Sequence, residues 1–387
     1  MEKDVAEVGR REGVWERPVA LIELFYDLVY VYAISKMTSI FQGEGLSAHA
    51  FARYLVASLV VLQAWMYMTN YVNRFGRERW GENVAIVVNM CAAVFMSNTI
   101  SAAWSEMLVG FNASMLAMLG TVAVLYATHL GADGSSRTMA VFSLKTLLPV
   151  CAIYLLVAVV APVLGPRVAL GLDALAIVVG IFGPALVDRG MTLDVTMISF
   201  PHLAERFELI TIITFGESVV TVAEVCERVG LSASFLMTFG MVIALFGCYV
   251  VQMHNLVEHH QVQRGLRLIY CHFAMVIALN LLTVCLNLLM ESPMPTPAVC
   301  LLAAASTATF FCCLFLLSKY HRAGVSFGAR DWVALAAMVL LGCALTFSGL
   351  ALGMEGFLLG QLAAGVGCFA YLLAMDKGIS VWHTPGR

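Results

Sequence analysis

The feature that most constrains this chain is a succession of about twelve apolar runs, each near the roughly 20 residues a helix needs to cross a bilayer. They fall at roughly 19–40, 52–73, 84–103, 107–129, 138–163, 168–187, 203–225, 232–254, 266–289, 297–318, 331–352 and 355–374. In hydrocarbon, backbone N–H and C=O groups must be bonded internally, so runs of this length fold as spanning helices. Composition agrees. The chain is 61% hydrophobic and 12% charged, against about 45–50% and about 25% in soluble domains. Its mean hydropathy is +0.87. The expected fold class is therefore all-α integral membrane, with the lipid bilayer as solvent. The net charge of −3 is small, and no basic stripe suited to nucleic acid is present.

The eleven cysteines do not read as a redox or metal framework. No C-x-x-C pair occurs, Cys312 and Cys313 are adjacent, and most of the others lie inside apolar runs. A thiol there packs as a small hydrophobe. No metal and no cofactor are expected. The first apolar run carries two acids, unlike the apolar stretch of a cleavable signal peptide.

Basic residues set the expected topology. All but five of the 22 Lys and Arg fall in loops on one side of a twelve-helix arrangement. Arg53, Arg167 and Arg228 fall on the other side, and Lys36 and Lys145 fall inside runs. An error of one helix would invert every later loop and erase this bias. The positive-inside rule then places both termini in the cytoplasm of a multi-pass plasma-membrane protein.

Two segments place acids where lipid disfavours them. One is ELFYDLVYVYAI, from Glu23 to Ile34, and the other is ERFELITIITFGESVV, from Glu205 to Val220. Their starts, 23 and 205, are 182 residues apart, close to half the 387-residue chain. Tyr67 and Tyr249 share that offset. Six helices per half is an even number, so the expected plan is two parallel six-helix repeats. The corresponding boundaries are 1–18 for an N-terminal tail, 19–189 and 190–375 for the two halves, and 376–387 for a C-terminal tail.

The acids are the candidate chemistry. Glu23 and Asp27 are four residues apart and share a helix face. Two carboxylates out of water either hold a proton or bind a cation. The alternative is a structural pair bonded to helix-end amides or to a neighbouring Arg. Glu205 and Glu208 follow Pro201 in a first helical turn, where carboxylates also serve as caps. Arg206 is placed to reach the Glu23/Asp27 face. Glu217 lies deeper, with Gly216 allowing close helix approach and Ser218 offering a hydroxyl. The expected ion- or proton-binding set is Glu23, Asp27, Glu205, Arg206 and Glu217. Lys145, Glu208, Ser218 and His272 are secondary candidates, with a satisfied interior role weighed for His272. The tryptophans, Trp65 among them, read mostly as interface anchors.

These segments also carry a family resemblance. PVALIELFYDLVYVYAISKMT resembles the N-terminal signature of the bacterial low temperature requirement A (LtrA) family, and HLAERFELITIITFGESVV resembles its second signature. Tyr26 stands where the family more usually has Phe, and Glu208 where it commonly has Gly. The family is named for a growth phenotype in the cold. The resemblance therefore implies an architecture and key positions, not a substrate.

The leading expectation is a proton- or cation-coupled transporter or channel that moves an unknown small solute or ion. An intramembrane enzyme acting on lipid-linked substrates comes second. No H-E-x-x-H or G-x-S-x-G pattern supplies it with catalytic residues, so no enzyme is expected. A membrane sensor or scaffold is the third reading.

Overall fold

The computed structural model describes residues 10–11, 14–15, 17–41, 45–101, 104–188 and 194–378. Among these residues the chain is built from twelve α-helices. They are α1 (Leu21–Lys36), α2 (Ala48–Phe75), α3 (Trp80–Thr99), α4 (Trp104–Ala127), α5 (Gly134–Leu164) and α6 (Pro166–Asp188), followed by α7 (Phe200–Val229), α8 (Ala233–Val250), α9 (Leu266–Glu291), α10 (Pro297–Leu316), α11 (Ala329–Thr346) and α12 (Gly349–Asp376). Among the described residues, β structure is limited to a two-residue pairing of Arg10–Arg11 with Val14–Trp15 and one bridge between Val257 and His321.

Eleven helices, α2 to α12, are long and apolar enough to cross a membrane. The protein is an all-α multi-pass membrane protein. Helix α1 is the exception to the expected lengths. Its α-helical part has 16 residues, and a 3-10 segment, Met37–Phe41, continues it.

Local chemistry sets several helix starts. Ser47, Ser232 and Thr296 each accept a backbone N–H three residues on, at 3.0, 3.2 and 3.3 Å. A hydroxyl at this position satisfies one of the unbonded first-turn donors. Pro297 then opens α10, where its missing N–H costs nothing. Inside α12, Gly353 adopts φ 67° and breaks the helical path. A side chain is strained in that conformation, so glycine permits the kink.

The described chain divides into two compact units. The first runs through Leu209 and includes residues 260–265. Within it, α3 packs on α4, α4 on α5 and α5 on α6, while α2 touches α4 and α6. Helix α1 lies on α3 and α2. Tyr26 and Tyr30 of α1 donate to Asn89 Oδ1 of α3 at 2.9 and 3.3 Å, and Asn89 Nδ2 donates onward to Met118 O of α4 at 2.9 Å. Helix α2 is the most enclosed in this unit, with 72% of its most apolar stretch buried, against 17% for α6. Exposed Leu175, Val178, Phe182 and Leu186 on α6 are the surface that lipid solvates.

The second unit comprises Ile210–His259 and the residues from Leu266 onward. Here α9 packs on α10, α10 on α11, α11 on α12 and α8 on α12. The Ser218 and Thr283 hydroxyls, 2.9 Å apart, tie α7 to α9. Thr307 of α10 donates to Gln361 Oε1 of α12, and Gln361 Nε2 donates to Thr346 Oγ1 of α11 at 2.9 Å. The adjacency order of α9–α12 repeats that of α3–α6, six helices on.

Candidate functional site

The first turn of α1 and the first turns of α7 both contribute to a buried acid–base cluster in the first unit. Glu23 and Asp27 face one side of α1, four residues apart. His202 and Arg206 face one side of α7 with the same spacing. The exposures of Glu23, Asp27, His202 and Arg206 are 1%, 0%, 0% and 1%.

Arg206 joins the two acids. Its Nε donates to Asp27 Oδ2 at 2.8 Å and its Nη2 to Asp27 Oδ1 at 2.6 Å, a bidentate fork. Its Nη1 donates to Glu23 Oε2 at 2.8 Å. The planar guanidinium suits this double recognition, whereas an ammonium is a point charge. The rings of Tyr26 and Trp65 lie 5.8 and 5.7 Å from its central carbon. Trp65 also donates its indole N–H to Asp27 Oδ1 at 2.6 Å. Its ring packs edge-on against Phe207, with centroids 5.0 Å apart.

Arg17 closes the other end. It donates to Glu23 Oε1 at 2.8 Å and to the carbonyl of Val72. That carbonyl belongs to the last turn of α2 and also accepts the Gly76 N–H at 2.9 Å, so Arg17 uses its second lone pair. A Cβ on Gly76 would sit 2.3 Å from Arg17 Nη1, so the glycine leaves room for the guanidinium.

Hydrogen-bond direction assigns the protonation of His202. Ser199 N–H donates to Asn73 Oδ1 at 3.2 Å, which turns Asn73 Nδ2 toward the Ser199 carbonyl at 2.8 Å and His202 Nδ1 at 3.0 Å. An amide nitrogen only donates, so Nδ1 accepts. The proton of the neutral ring is then on Nε2, which donates to Glu23 Oε2 at 2.8 Å. With His202 neutral, two carboxylates face two guanidiniums and the cluster carries no net charge. Every carboxylate oxygen of Glu23 and Asp27 accepts at least one of these bonds.

The other expected residues lie outside this cluster. Glu205 is exposed, one residue before Arg206 and about 100° around the helix. Glu208 and Glu217 are half-buried. Glu217 lies eleven residues beyond Arg206, about 16 Å along α7. Ser218 is buried on Thr283. His272 is an interior histidine with both ring nitrogens engaged, one at 3.0 Å from Tyr249 Oη and one at 2.8 Å from the Leu268 carbonyl.

Three expectations need correction. Lys145 is exposed and forms no ion pair with the acids among the described residues. It shares the outward face of α5 with exposed Leu148 and Val159. Gly216 does not mediate a close helix approach, because nothing lies within 4 Å of a Cβ built there. Trp65 is no interface anchor: it is 0% exposed, seventeen residues into α2.

Sequence reasoning missed His202, Arg17, Trp65 and Asn73. The signal for His202 was available. A base pair spaced i, i+4 at the start of one helix complements an acid pair spaced i, i+4 at the start of another.

No curated protein matches the chain. Residues 18–371, nearly all of the chain, match the model for bacterial low temperature requirement A protein, so the chain belongs to the LtrA family.

Proposed function

We propose that this protein is a proton- or cation-coupled transporter or channel of the plasma membrane, with both termini cytoplasmic, and that its Glu23–Asp27–Arg206 cluster is the ion-responsive lock. The observation that carries this reading is a pair of carboxylates at 0–1% exposure, matched by a guanidinium at 1%, within a membrane-embedded helical protein. Replacing a buried ion pair with apolar residues of similar volume is often neutral or stabilising, so stability alone is a weak reason to keep one. Ionisable groups at membrane depth instead mark ion pathways and relays. A proton or cation reaching Glu23 or Asp27 competes with Arg206 for the same oxygens. It thereby releases the start of α7 from α1. Glu217 adds an acid farther along α7. The recurring adjacency of α3–α6 and α9–α12 suits an alternating-access protein with two six-helix halves.

The test is flux. Purified protein in proteoliposomes is exposed in turn to inward proton, sodium and potassium gradients, with a trapped pH dye and tracer uptake as readouts. Movement of at least one ion, reduced in Glu217→Gln, is the expected result. Protein-containing vesicles no leakier than empty ones under all three gradients would remove the transport reading.

A further inference from the structure

A second acid lies buried in the first unit, outside the cluster. Asp173 is seven residues beyond the start of α6, about 10 Å along the helix, and is 0% exposed. No side chain among the described residues gives its carboxylate oxygens a hydrogen bond of full geometry, although the Asn112 amide lies near enough to interact. Buried polar atoms are almost always bonded, and an exception calls for a chemical reason.

The surroundings of Asp173 share its deficit. Asn112 of α4 and Tyr154 of α5 are its polar neighbours. Both are 0% exposed, and Asn112 Oδ1 and Tyr154 Oη have no partner among the described residues. Asn112 gives its amide N–H to the Leu108 carbonyl of its own helix at 3.0 Å. Gln63 of α2, 7% exposed, also has an unbonded Oε1. Farther along α6, a glycine leaves room for Gln63 and Tyr67. A Cβ on Gly180, two turns beyond Asp173 on the same face, would lie 1.5 Å from Gln63 Nε2 and 2.9 Å from Tyr67 Oη.

The titratable groups near Asp173 are the Tyr154 phenol, with Tyr67 and Cys151 beside it. Helix α4 adds only the Asn112 amide. No Lys, Arg or His among the described residues forms an ion pair with Asp173. The buried carboxylate is therefore left without a matching cation. The Asp173 carboxylate and Asn112 Oδ1 both accept; the Asn112 amide gives an N–H to its own helix, and the O–H of Tyr154 stands beside them. A proton on the carboxyl supplies a donor and removes the uncompensated charge in one step.

We propose that Asp173 is a proton-binding site, a buried carboxyl that takes up and releases one proton beside Tyr154 and Asn112. This deepens the proton-coupled reading but does not depend on flux.

Infrared difference spectroscopy of the full-length protein in lipid vesicles tests it, because a protonated carboxyl has its own C=O stretch. The wild type should show a carboxyl band that shifts in heavy water and titrates with pH. Asp173→Asn should lack that band. Tyr154→Phe should keep it at a shifted frequency, which guards against misfolding of the first variant. Spectra of Asp173→Asn and wild type that superimpose at every pH would overturn the proposal. So would sodium-dependent thermal stabilisation of the wild type that Asp173→Asn loses, since that would assign a metal cation to the site. If the band is present while proteoliposomes move no ion, the transport reading fails and the proton site stands.

Discussion

Arg206 holds two carboxylates that have no access to water, so its removal leaves both without their shared partner. Breaking a buried ion pair from one side costs about 3–5 kcal/mol. Arg206→Gln should lower stability by that order in denaturant unfolding in detergent. Arg206→Lys should recover only part of the loss, because an ammonium cannot reproduce the fork on Asp27. Asp27→Asn combined with Arg206→Gln should cost less than the sum of the two single changes, and additive losses would show that the pair does not interact. A separate residue predicts a pH dependence. His321 follows α10 in the turn bridged to Val257, with its Nε2 2.8 Å from Gln252 Nε2. Burial, with the nearby Arg322 guanidinium, pushes it down from the ordinary 6.5 to about 4. The folded protein then keeps His321 neutral while the unfolded chain takes up a proton. Its contribution to stability is present above about 6.5 and is lost as pH falls toward about 4. The melting temperature of the wild type should fall across that window, and His321→Asn should flatten the fall.

At the scale of elements, small residues matter only where a neighbour is close. Gly360 of α12 faces α11 so tightly that an added Cβ would sit 2.2 Å from Thr346 N and 2.6 Å from the Gly342 carbonyl. Gly360→Ala must push two backbones apart and should destabilise by about 1–3 kcal/mol. Gly216→Ala meets open space and should be neutral, or stabilising by up to about 1 kcal/mol through helix propensity. Thermal unfolding of the two variants side by side separates these outcomes. The contrast also explains what the sequence made legible. Apolar length marks where helices are, since the bilayer imposes it, so α2 to α12 were readable. Acid spacing marks a shared face, so Glu23, Asp27 and their pairing with Arg206 were readable too. What a residue faces across space was not. Gly216 resembled a packing glycine, Lys145 a cation within an apolar run and Trp65 an anchor until the register of neighbouring helices was known. The kink at Gly353 and the π-helical turn at Val251–Leu256 were hidden for a related reason. Gly353 lies among apolar residues, and the polar Gln252, His254 and Asn255 read as the end of a helix rather than as a change of helix type.

For the whole molecule, two features stand together. Eleven of the described helices are long and apolar enough to cross a membrane, and the first unit encloses a neutral arrangement of two acids and two guanidiniums, with a separate buried acid in α6. Such an arrangement leaves no net charge buried only while every partner stays in place. On the proposed reading, that condition makes it sensitive to an arriving proton or cation and links local chemistry to movement of α7. The most direct measurement compares ion flux through wild-type and Asp27→Asn protein in the same proteoliposome preparation. Protein per vesicle is matched, and folding of both is confirmed by size-exclusion profile. The account predicts that the wild type conducts or exchanges an ion and that Asp27→Asn loses most of that flux while remaining folded. Equal flux in the two proteins would contradict it.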